Sequence, residues 1–95
     1  MYDNSLRYEW DEAKREASLA KHGVDFAAVE DFDWRRAVVE FDRRRNYGEE
    51  REIAVGWIGT RLHVLIFTRR AGAIRIVSLR KANDREVRRH AESNR

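Results

Sequence analysis

The chain has 95 residues, of which 42% are hydrophobic and 39% are charged. This length predicts a single domain over residues 1–95, with enough apolar residues for one core. Because the chain has no cysteine, disulfides and thiolate metal sites are excluded. The first residues lack the order of a signal peptide, and no apolar run is long enough to span a bilayer. We therefore expect a cytoplasmic protein that makes no contact with membranes.

The positive charge is concentrated in the second half of the chain. The formal net charge is +3, and ten lysines or arginines but only three carboxylates occur from Arg61 onward. Such a distribution is typical of a surface that meets a polyanion, such as a nucleic acid. A solvated face that keeps a small protein soluble explains it equally well.

Helical signals dominate the first third of the chain. Arg7 to Trp10 alternate weakly, as in a short leading strand. Asp11 is placed to cap a helix that ends before Gly23, and Asp25 is placed to cap a second helix. The core-facing side of the second helix is predicted to contain three apolar residues: Phe26, Val29 and Phe32.

Strand patterns follow. Val39 and Phe41 alternate with acidic residues, Arg43 to Glu50 form a polar connection, and the next strand carries Ile53, Val55 and Trp57 on one face. Leu62 to Thr68 is apolar on both faces, as in a central strand covered on both sides. Ala71-Gly72 predicts a tight hairpin turn into the last strand.

The last element is predicted to be a helix that reaches about Glu92. Asn83 and Glu86 have the spacing of a capping box at its start. Strands joined by short turns pair in antiparallel fashion. The fold class is therefore α+β, with two N-terminal helices, an antiparallel sheet of three to five strands and a C-terminal helix.

The hairpin predicts which residues face each other. Across a two-residue turn at Ala71-Gly72, opposed residues have numbers that sum to 143. Arg69 then opposes Ile74, Phe67 opposes Ile76, Leu65 opposes Ser78 and His63 opposes Arg80. Arg69 and Arg80 share one side of the sheet but lie about 20 Å apart. They bind one phosphate only if a bulge or bend intervenes.

The residue types exclude several kinds of chemistry. The chain has no thiol nucleophile, no glycine-rich phosphate loop and no serine in a nucleophile motif, and its three histidines lack metal-ligand spacing. RNA cleavage remains open, because the RNA 2′-hydroxyl is itself a nucleophile and side chains need only supply a base, an acid and cations. Each candidate also has a structural explanation, such as a core histidine for His63 or anchors for Trp10, Trp34 and Trp57. The residues alone leave the function undecided.

Several short motifs occur in order along most of the chain, from Tyr8 to about Arg89. The main ones are Tyr8-Glu9-Trp10-Asp11, Lys21-His22-Gly23-Val24, Gly48-Glu49-Glu50-Arg51 and Ile74-Arg75-Ile76-Val77-Ser78-Leu79-Arg80-Lys81-Ala82. In this order the chain resembles the BrnT family of bacterial type II toxins. The resemblance implies a RelE-like ribonuclease fold and cleavage of messenger RNA, either on the ribosome or free. It also implies a BrnA-type antitoxin whose complex with the toxin represses their operon, with operator DNA contacted mainly through the antitoxin. From the residue types we expect no metal and no cofactor.

The resemblance also implies which residues act. The catalytic candidates are Lys21, His22, Glu50, Arg51 and Arg80. The substrate-binding candidates are Arg69, Arg70, Lys81 and His90. We assign His22 or Glu50 as base or acid, Arg51 and Arg80 as phosphate clamps, and Lys21 as electrostatic support. Arg69 is an alternative to Arg70, because the predicted register puts only Arg69 on the side of Arg80.

The chain departs from the family pattern at three places. Ser18 replaces a common asparagine, Asp33 to Arg36 replace a common Asp-Pro turn, and His90 replaces a common tyrosine. Two alternatives to the enzyme stay open: a catalytically silent module that keeps antitoxin binding and operon regulation, and a basic nucleic-acid-binding protein. For the antitoxin surface, we expect exposed apolar residues such as Trp34 and the strand from Val38 to Phe41.

Overall fold

The computed structural model describes residues 6–44 and 48–93. Seven regular elements occur in this part of the chain, in the following order: β1 (Arg7–Glu9), α1 (Glu12–His22), β2 (Val38–Phe41), β3 (Glu52–Ile58), β4 (Arg61–Arg70), β5 (Ala73–Lys81) and α2 (Asp84–Ser93). Two short 3-10 segments, Phe26–Asp31 and Trp34–Arg36, lie between α1 and β2. Among the described residues, neither helix has the length and apolar character needed to cross a membrane.

The five strands form one sheet in the order β1-β5-β4-β3-β2. The neighbours from β2 to β5 pair in antiparallel fashion, as their short connections predict, whereas β1 lies parallel to β5. The parallel pair is possible because most of the chain separates these two strands. An α+β fold with a five-stranded sheet and a C-terminal helix is therefore confirmed.

Helix α1 begins and ends where its caps predict. The Asp11 carboxylate accepts a hydrogen bond from the backbone N–H of Lys14 at 3.1 Å. Gly23 adopts φ 72°, and its N–H donates to the Leu19 carbonyl at 2.8 Å. Glycine takes this left-handed conformation without the strain that a Cβ would cause, so the helix ends here.

The prediction of a second N-terminal α-helix was wrong. Asp25 caps the segment as expected, accepting from the N–H of Ala27, but the segment is a six-residue 3-10 helix. Phe32 then leaves the helix in an extended conformation and bridges to Ile58 of β3. Because the Phe32 ring is buried in the core, the backbone becomes extended after this short segment, which is too short to form an α-helix.

The main core lies on the first face of the sheet, beneath the first 3-10 segment, and α1 lies beside β5. Its fully enclosed side chains include Phe26, Val29, Leu65, Phe67 and Leu79. The second face carries a smaller cluster around Leu62, Val64 and Ala82. Burial along Leu62 to Thr68 confirms the prediction that this strand is covered on both sides.

A bulge interrupts the β4–β5 pair. The predicted register holds from Arg70–Ala73 to Phe67–Ile76, but Ile66 then pairs with Ser78, so Val77 is an extra residue in β5. Beyond the bulge, Leu65 opposes Leu79, Arg80 opposes Val64 and Lys81 opposes His63. The predicted Leu65–Ser78 and His63–Arg80 pairs were therefore wrong.

The bulge also changes the face on which Arg80 lies. Side chains alternate along β4, so Val64 shares a face with Ile66, Thr68 and Arg70. Arg80, opposite Val64, belongs to this second face, and the predicted shared side with Arg69 was wrong. An extra residue in one strand reverses the alternation of everything that follows it.

Candidate functional site

The structure divides the predicted site residues between the two ends of the β4–β5 pair. The turn-end group, near Ala71-Gly72, contains Glu50, Arg51, Arg69 and Arg70. The Arg80 group, where β5 ends, contains Lys21, His22, Arg80, Lys81 and His90. Arg80 pairs with Val64, which precedes Arg70 by six residues in β4. At about 3.4 Å per residue, about 20 Å separates the two arginines along the sheet, so one phosphate cannot bind both groups.

The turn-end group consists of ion pairs at the surface. Arg69 donates to both carboxylate oxygens of Glu52, at 2.6 and 3.2 Å. Arg70 contacts the Glu49 carboxylate at 3.3 Å, and Arg51 lies 4.0 Å from the same group. These cations already have carboxylate partners, which lowers the positive potential that this end of the sheet offers to RNA.

Glu50 contributes to the turn-end group mainly through its backbone. Its carbonyl accepts a hydrogen bond from the Thr68 hydroxyl at 2.8 Å, and its side chain is exposed. The bond ties the start of β3 to the end of β4. This contact gives Glu50 a structural task at the sheet end, while its carboxylate faces water.

Arg80 is held rigidly in the second group. Its Nη1 and Nη2 donate to the two carboxylate oxygens of Glu86, each at 2.8 Å. The same carboxylate accepts from the N–H of Asn83 at 2.9 Å, and the Asn83 side chain accepts from the N–H of Glu86 at 2.8 Å. The predicted capping box is therefore confirmed, and its acidic member also orients Arg80.

Electrostatics around this pair favour the ionised forms. The hydrogen bond from Arg80 holds the pKa of Glu86 below its usual value, against the opposing effect of burial. The carboxylate in turn raises the pKa of Arg80. A planar guanidinium fixed by two parallel hydrogen bonds can present its remaining N–H groups to a phosphate in one defined orientation.

His22 lies at the end of α1, within electrostatic range of Arg80. Burial is the main reason why its pKa lies below the ordinary 6.5, and the charges of Lys21 and Arg80 lower it further. The imidazole is therefore neutral at pH 7, which is the form that accepts a proton. Lys21 is exposed beside it, and Lys81 is exposed at the end of β5.

The other two histidines are buried. The Nδ1 of His63 lies 2.9 Å from the Arg61 carbonyl, and burial lowers its pKa, as expected for a neutral core histidine. His90 is the one buried residue of α2, and its ring meets Trp57 edge-on at 6.1 Å. His90 therefore holds α2 against the second face of the sheet.

A groove of about 500 Å³ separates α2 from β2, β3 and β4, and Arg80, Glu86 and His90 line it. Neither the groove nor the ion pair between Asp42 and Arg44 at its rim was predicted from the sequence. The enclosed Asp42 carboxylate accepts two hydrogen bonds from Arg44 at 2.8 Å, and the Arg44 charge reaches Arg80. An aspartate two residues before an arginine is too common a pattern to have revealed this pair.

Trp34 and Ser18 are two further residues that the sequence singles out. Trp34 is half-buried, donates to the Tyr8 hydroxyl at 2.7 Å and packs edge-on against Phe32 and Phe67. The expectation of an exposed Trp34 was wrong, because its ring completes the main core. Ser18, at a position where the family commonly has asparagine, has a buried hydroxyl with no hydrogen-bond partner among the described residues.

Two comparisons with known proteins found similar sequences or structures. The family model "Ribonuclease toxin, BrnT, of type II toxin-antitoxin system" matches residues 10–86. The crystal structure of the Brucella abortus ribonuclease toxin BrnT is similar, with 31% identity, coverage of 84% of this chain and 100% of that chain, and a TM-score of 0.66. No curated protein matches the chain. Across residues 6–44 and 48–93, no three metal-ligating side chains cluster. The chain belongs to the BrnT family of ribonuclease toxins of type II toxin–antitoxin systems.

Proposed function

We propose that the chain is an endoribonuclease that cleaves messenger RNA through attack by the RNA 2′-hydroxyl, with no metal ion. Membership of a ribonuclease toxin family supports the RNA substrate. The supporting feature of the site is His22, which is kept neutral and lies within electrostatic range of the fixed guanidinium of Arg80. A base and a nearby cation are two of the three groups that this reaction requires, and water supplies the third, the acid.

In the proposed reaction, His22 takes the proton of the 2′-hydroxyl while the 2′-oxygen bonds to the adjacent phosphorus. Arg80 and Lys21 stabilise the negative charge that develops on the phosphorane. The bond from phosphorus to the 5′-oxygen then breaks, and that oxygen takes a proton from water. The proton on His22 neutralises the resulting hydroxide. The products are a 2′,3′-cyclic phosphate and a 5′-hydroxyl.

The remaining predicted residues have supporting roles in this proposal. Lys81 is exposed at the end of β5 and binds the RNA chain. His90 is buried, so its contribution is to hold α2, and with it Glu86, in position beside Arg80. Arg69 and Arg70 are about 20 Å from Arg80 along the sheet, so they contact nucleotides away from the reacting phosphate. Glu50 also lies in the turn-end group, away from Arg80, so we assign the proton transfer to His22 rather than to Glu50.

The test uses purified toxin, freed of its antitoxin, with RNA offered with and without ribosomes. We expect cleavage that survives EDTA, yields a 2′,3′-cyclic phosphate and fails on RNA with 2′-O-methyl groups. His22→Ala and Arg80→Ala should each lower the rate by about 100-fold. Arg88→Ala removes the same kind of charge from an exposed position of α2 outside the groove lining, so it is the matched control and should change the rate little. Intact RNA in every assay, or full activity in both site variants, would overturn the proposal.

We further propose a RelE-like architecture, a BrnA-type antitoxin encoded beside the toxin, and repression of the operon by their complex. A type II system implies an antitoxin partner, and the resemblance of the motifs supports its BrnA type. We expect the toxin to act in the cytoplasm, because its messenger RNA substrate is translated there. Co-purification with the product of the neighbouring gene, and operator binding only by the complex, would support this scheme.

A catalytically silent module that retains antitoxin binding is the second candidate. The observation that favours it is the engagement of Arg80: one N–H of each terminal nitrogen donates to Glu86 and Nη1 also donates to the Lys81 carbonyl at 3.3 Å, which leaves fewer N–H groups for a phosphate. In that case the purified chain binds antitoxin but leaves RNA intact. The cleavage assay above separates the two candidates.

A further inference from the structure

Helix α2 covers only part of the second face of the sheet. Val87, His90 and Ala91 are the α2 residues that line the cavity beside Trp57 and Leu62. On the other side of α2, the groove of about 500 Å³ remains open. Its floor is formed by β-branched apolar side chains from three strands: Val38, Ile53, Val55, Val64 and Ile66.

The groove continues to the edge of the sheet at β2. Strand β2 is the last strand on this side among the described residues, and its residues Val39 and Phe41 are 41% and 47% exposed, with Phe41 at the groove. Edge strands with exposed apolar residues are typical protein-docking surfaces. RNA bases stack on aromatic or guanidinium planes rather than on branched aliphatic side chains, so a floor of valines and isoleucines fits a protein partner better.

The rim of the groove is mainly cationic. Four arginines line it against three carboxylates: Arg43, Arg44, Arg80 and Arg89 against Glu40, Asp42 and Glu86. The carboxylates of Asp42 and Glu86 are engaged with Arg44 and Arg80. These two pairs largely cancel each other, which leaves the positive charges of Arg43 and Arg89 against the single carboxylate of Glu40. The rim therefore complements a partner with acidic side chains near Arg43 and Arg89, at the margin of an apolar surface.

We infer that this groove is the docking site of the antitoxin, through an acidic amphipathic segment of that protein. Apolar side chains of the segment cover Val55 and Ile66, and its carboxylates contact Arg80 and Arg89. The inference rests on the proposed function for the identity of the partner. Because Arg80 lines both the groove and the proposed catalytic site, the bound segment removes it from RNA, and inhibition is direct.

The test measures affinity for the antitoxin encoded by the neighbouring gene, by calorimetry, with full-length toxin variants. Arg89→Glu reverses a charge at the rim, and Val38→Lys places an ammonium on the floor at the edge strand. We expect each to weaken antitoxin binding by about tenfold or more. Arg88→Glu is the matched control: it makes the same charge change on α2, outside the groove lining, and should bind as the wild type does.

Cleavage assays on the same variants separate this inference from the proposed function. We expect Arg89→Glu to cleave RNA and to require more antitoxin for inhibition. If the wild type cleaves no RNA, the proposed function fails, while the affinities still decide the docking site.

Unchanged antitoxin affinity in Arg89→Glu, or a loss of affinity equal to that of Arg88→Glu, overturns the inference. Should Val38→Lys not fold, as judged by circular dichroism, the Arg89 and Arg88 pair decides alone. Tighter RNA binding by Val38→Lys with normal antitoxin affinity would make the groove an RNA site and also overturns it.

Discussion

Arg80 and His22 lie on different elements, but the charge of one affects the proton affinity of the other. Arg80 ends up beside the groove because of the bulge in β5, while His22 is fixed by the end of α1. The sequence predicted the helix end and its glycine, and the resemblance singled out both residues. Nothing in the local pattern revealed that the charge of Arg80 acts on His22, since this depends on how α1 packs against β5.

Their coupling gives a pH prediction. A base must be neutral to act, so the rate rises with pH through a pKa of His22 that lies below 6.5. Arg80→Gln removes a positive charge that lowers this pKa, so the pKa of His22 should rise. NMR titration of the imidazole measures the shift without any need for activity. Arg70→Gln, at the other end of β4, should leave the titration unchanged, and an identical titration in Arg80→Gln would refute the coupling.

Glu86 performs two tasks, and two substitutions separate them. Glutamine can still accept the Asn83 N–H but carries no charge for Arg80, so Glu86→Gln should retain the helix cap. Glu86→Ala should cost about 1 kcal/mol of stability through loss of the cap. We expect both variants to raise the KM for RNA, because the Arg80 side chain is no longer oriented. Thermal unfolding and cleavage kinetics, measured together, check this; a normal KM in Glu86→Gln would contradict it.

At the scale of elements, the caps, the turn and the antiparallel pairing of consecutive strands were readable from local signals, whereas the place of β1 beside β5 and two further features were not. The six-residue 3-10 segment and the bulge at Val77 both result from packing on the first face, where Phe32 and Leu79 are buried. Leu79 reaches the core only because the extra residue reverses the alternation. Periodicity describes each strand alone and cannot report an interruption between two strands.

Gly56 of β3 provides a test of the packing that shortens the 3-10 segment. A Cβ at this position would lie 2.7 Å from Cζ of Phe32 and 3.1 Å from Cβ of Ala37. Gly56→Ala should therefore lower the free energy of unfolding by about 1–3 kcal/mol, because a core ring and the backbone must shift.

Chemical denaturation of Gly56→Ala, Phe32→Leu and the double variant measures the effect. Leucine lacks the ring atom that would clash, so the double variant should lose less stability than the sum of the single ones. Strict additivity would show that Phe32 is not what requires a glycine at this position.

For the whole molecule, composition predicted one core and a basic second half, and the single-domain organisation stays a prediction. The basic half is less cationic in effect than its sequence suggests, because Glu49, Glu52 and Glu86 pair with arginines of β4 and β5. These carboxylates lie far from their partners in sequence or across a turn. The net charge can be counted from the sequence, but which arginines are neutralised by carboxylates can be known only from the fold.

Stability should fall as the solution becomes mildly acidic. Burial lowers the pKa of His63 in the folded protein below the ordinary 6.5, so the unfolded chain binds more protons below that pH. The stability contributed by the neutral His63 is fully present above pH 6.5, and it is lost as the pH falls from 6.5 toward the pKa of His63 in the folded protein. One proton contributes at most about 1.4 kcal/mol per pH unit.

Unfolding between pH 7.5 and 5 checks this expectation. The comparison is made in a His22→Gln background, because burial lowers the pKa of His22 in the same direction. Adding His63→Gln, which cannot titrate, should make the free energy of unfolding depend less on pH. An equally steep dependence would mean that other groups are responsible.

The exposed edge of β2 has a consequence for the toxin once it is released. Val39 and Phe41 are partly exposed on a strand whose outer backbone groups have no neighbouring strand in the part of the chain that the structure describes. Two freed molecules can satisfy these groups by joining edge to edge, at a rate that grows with the square of their concentration. Self-association would therefore compete with RNA for freshly liberated copies, so we expect toxicity per molecule to decline when many are freed at once.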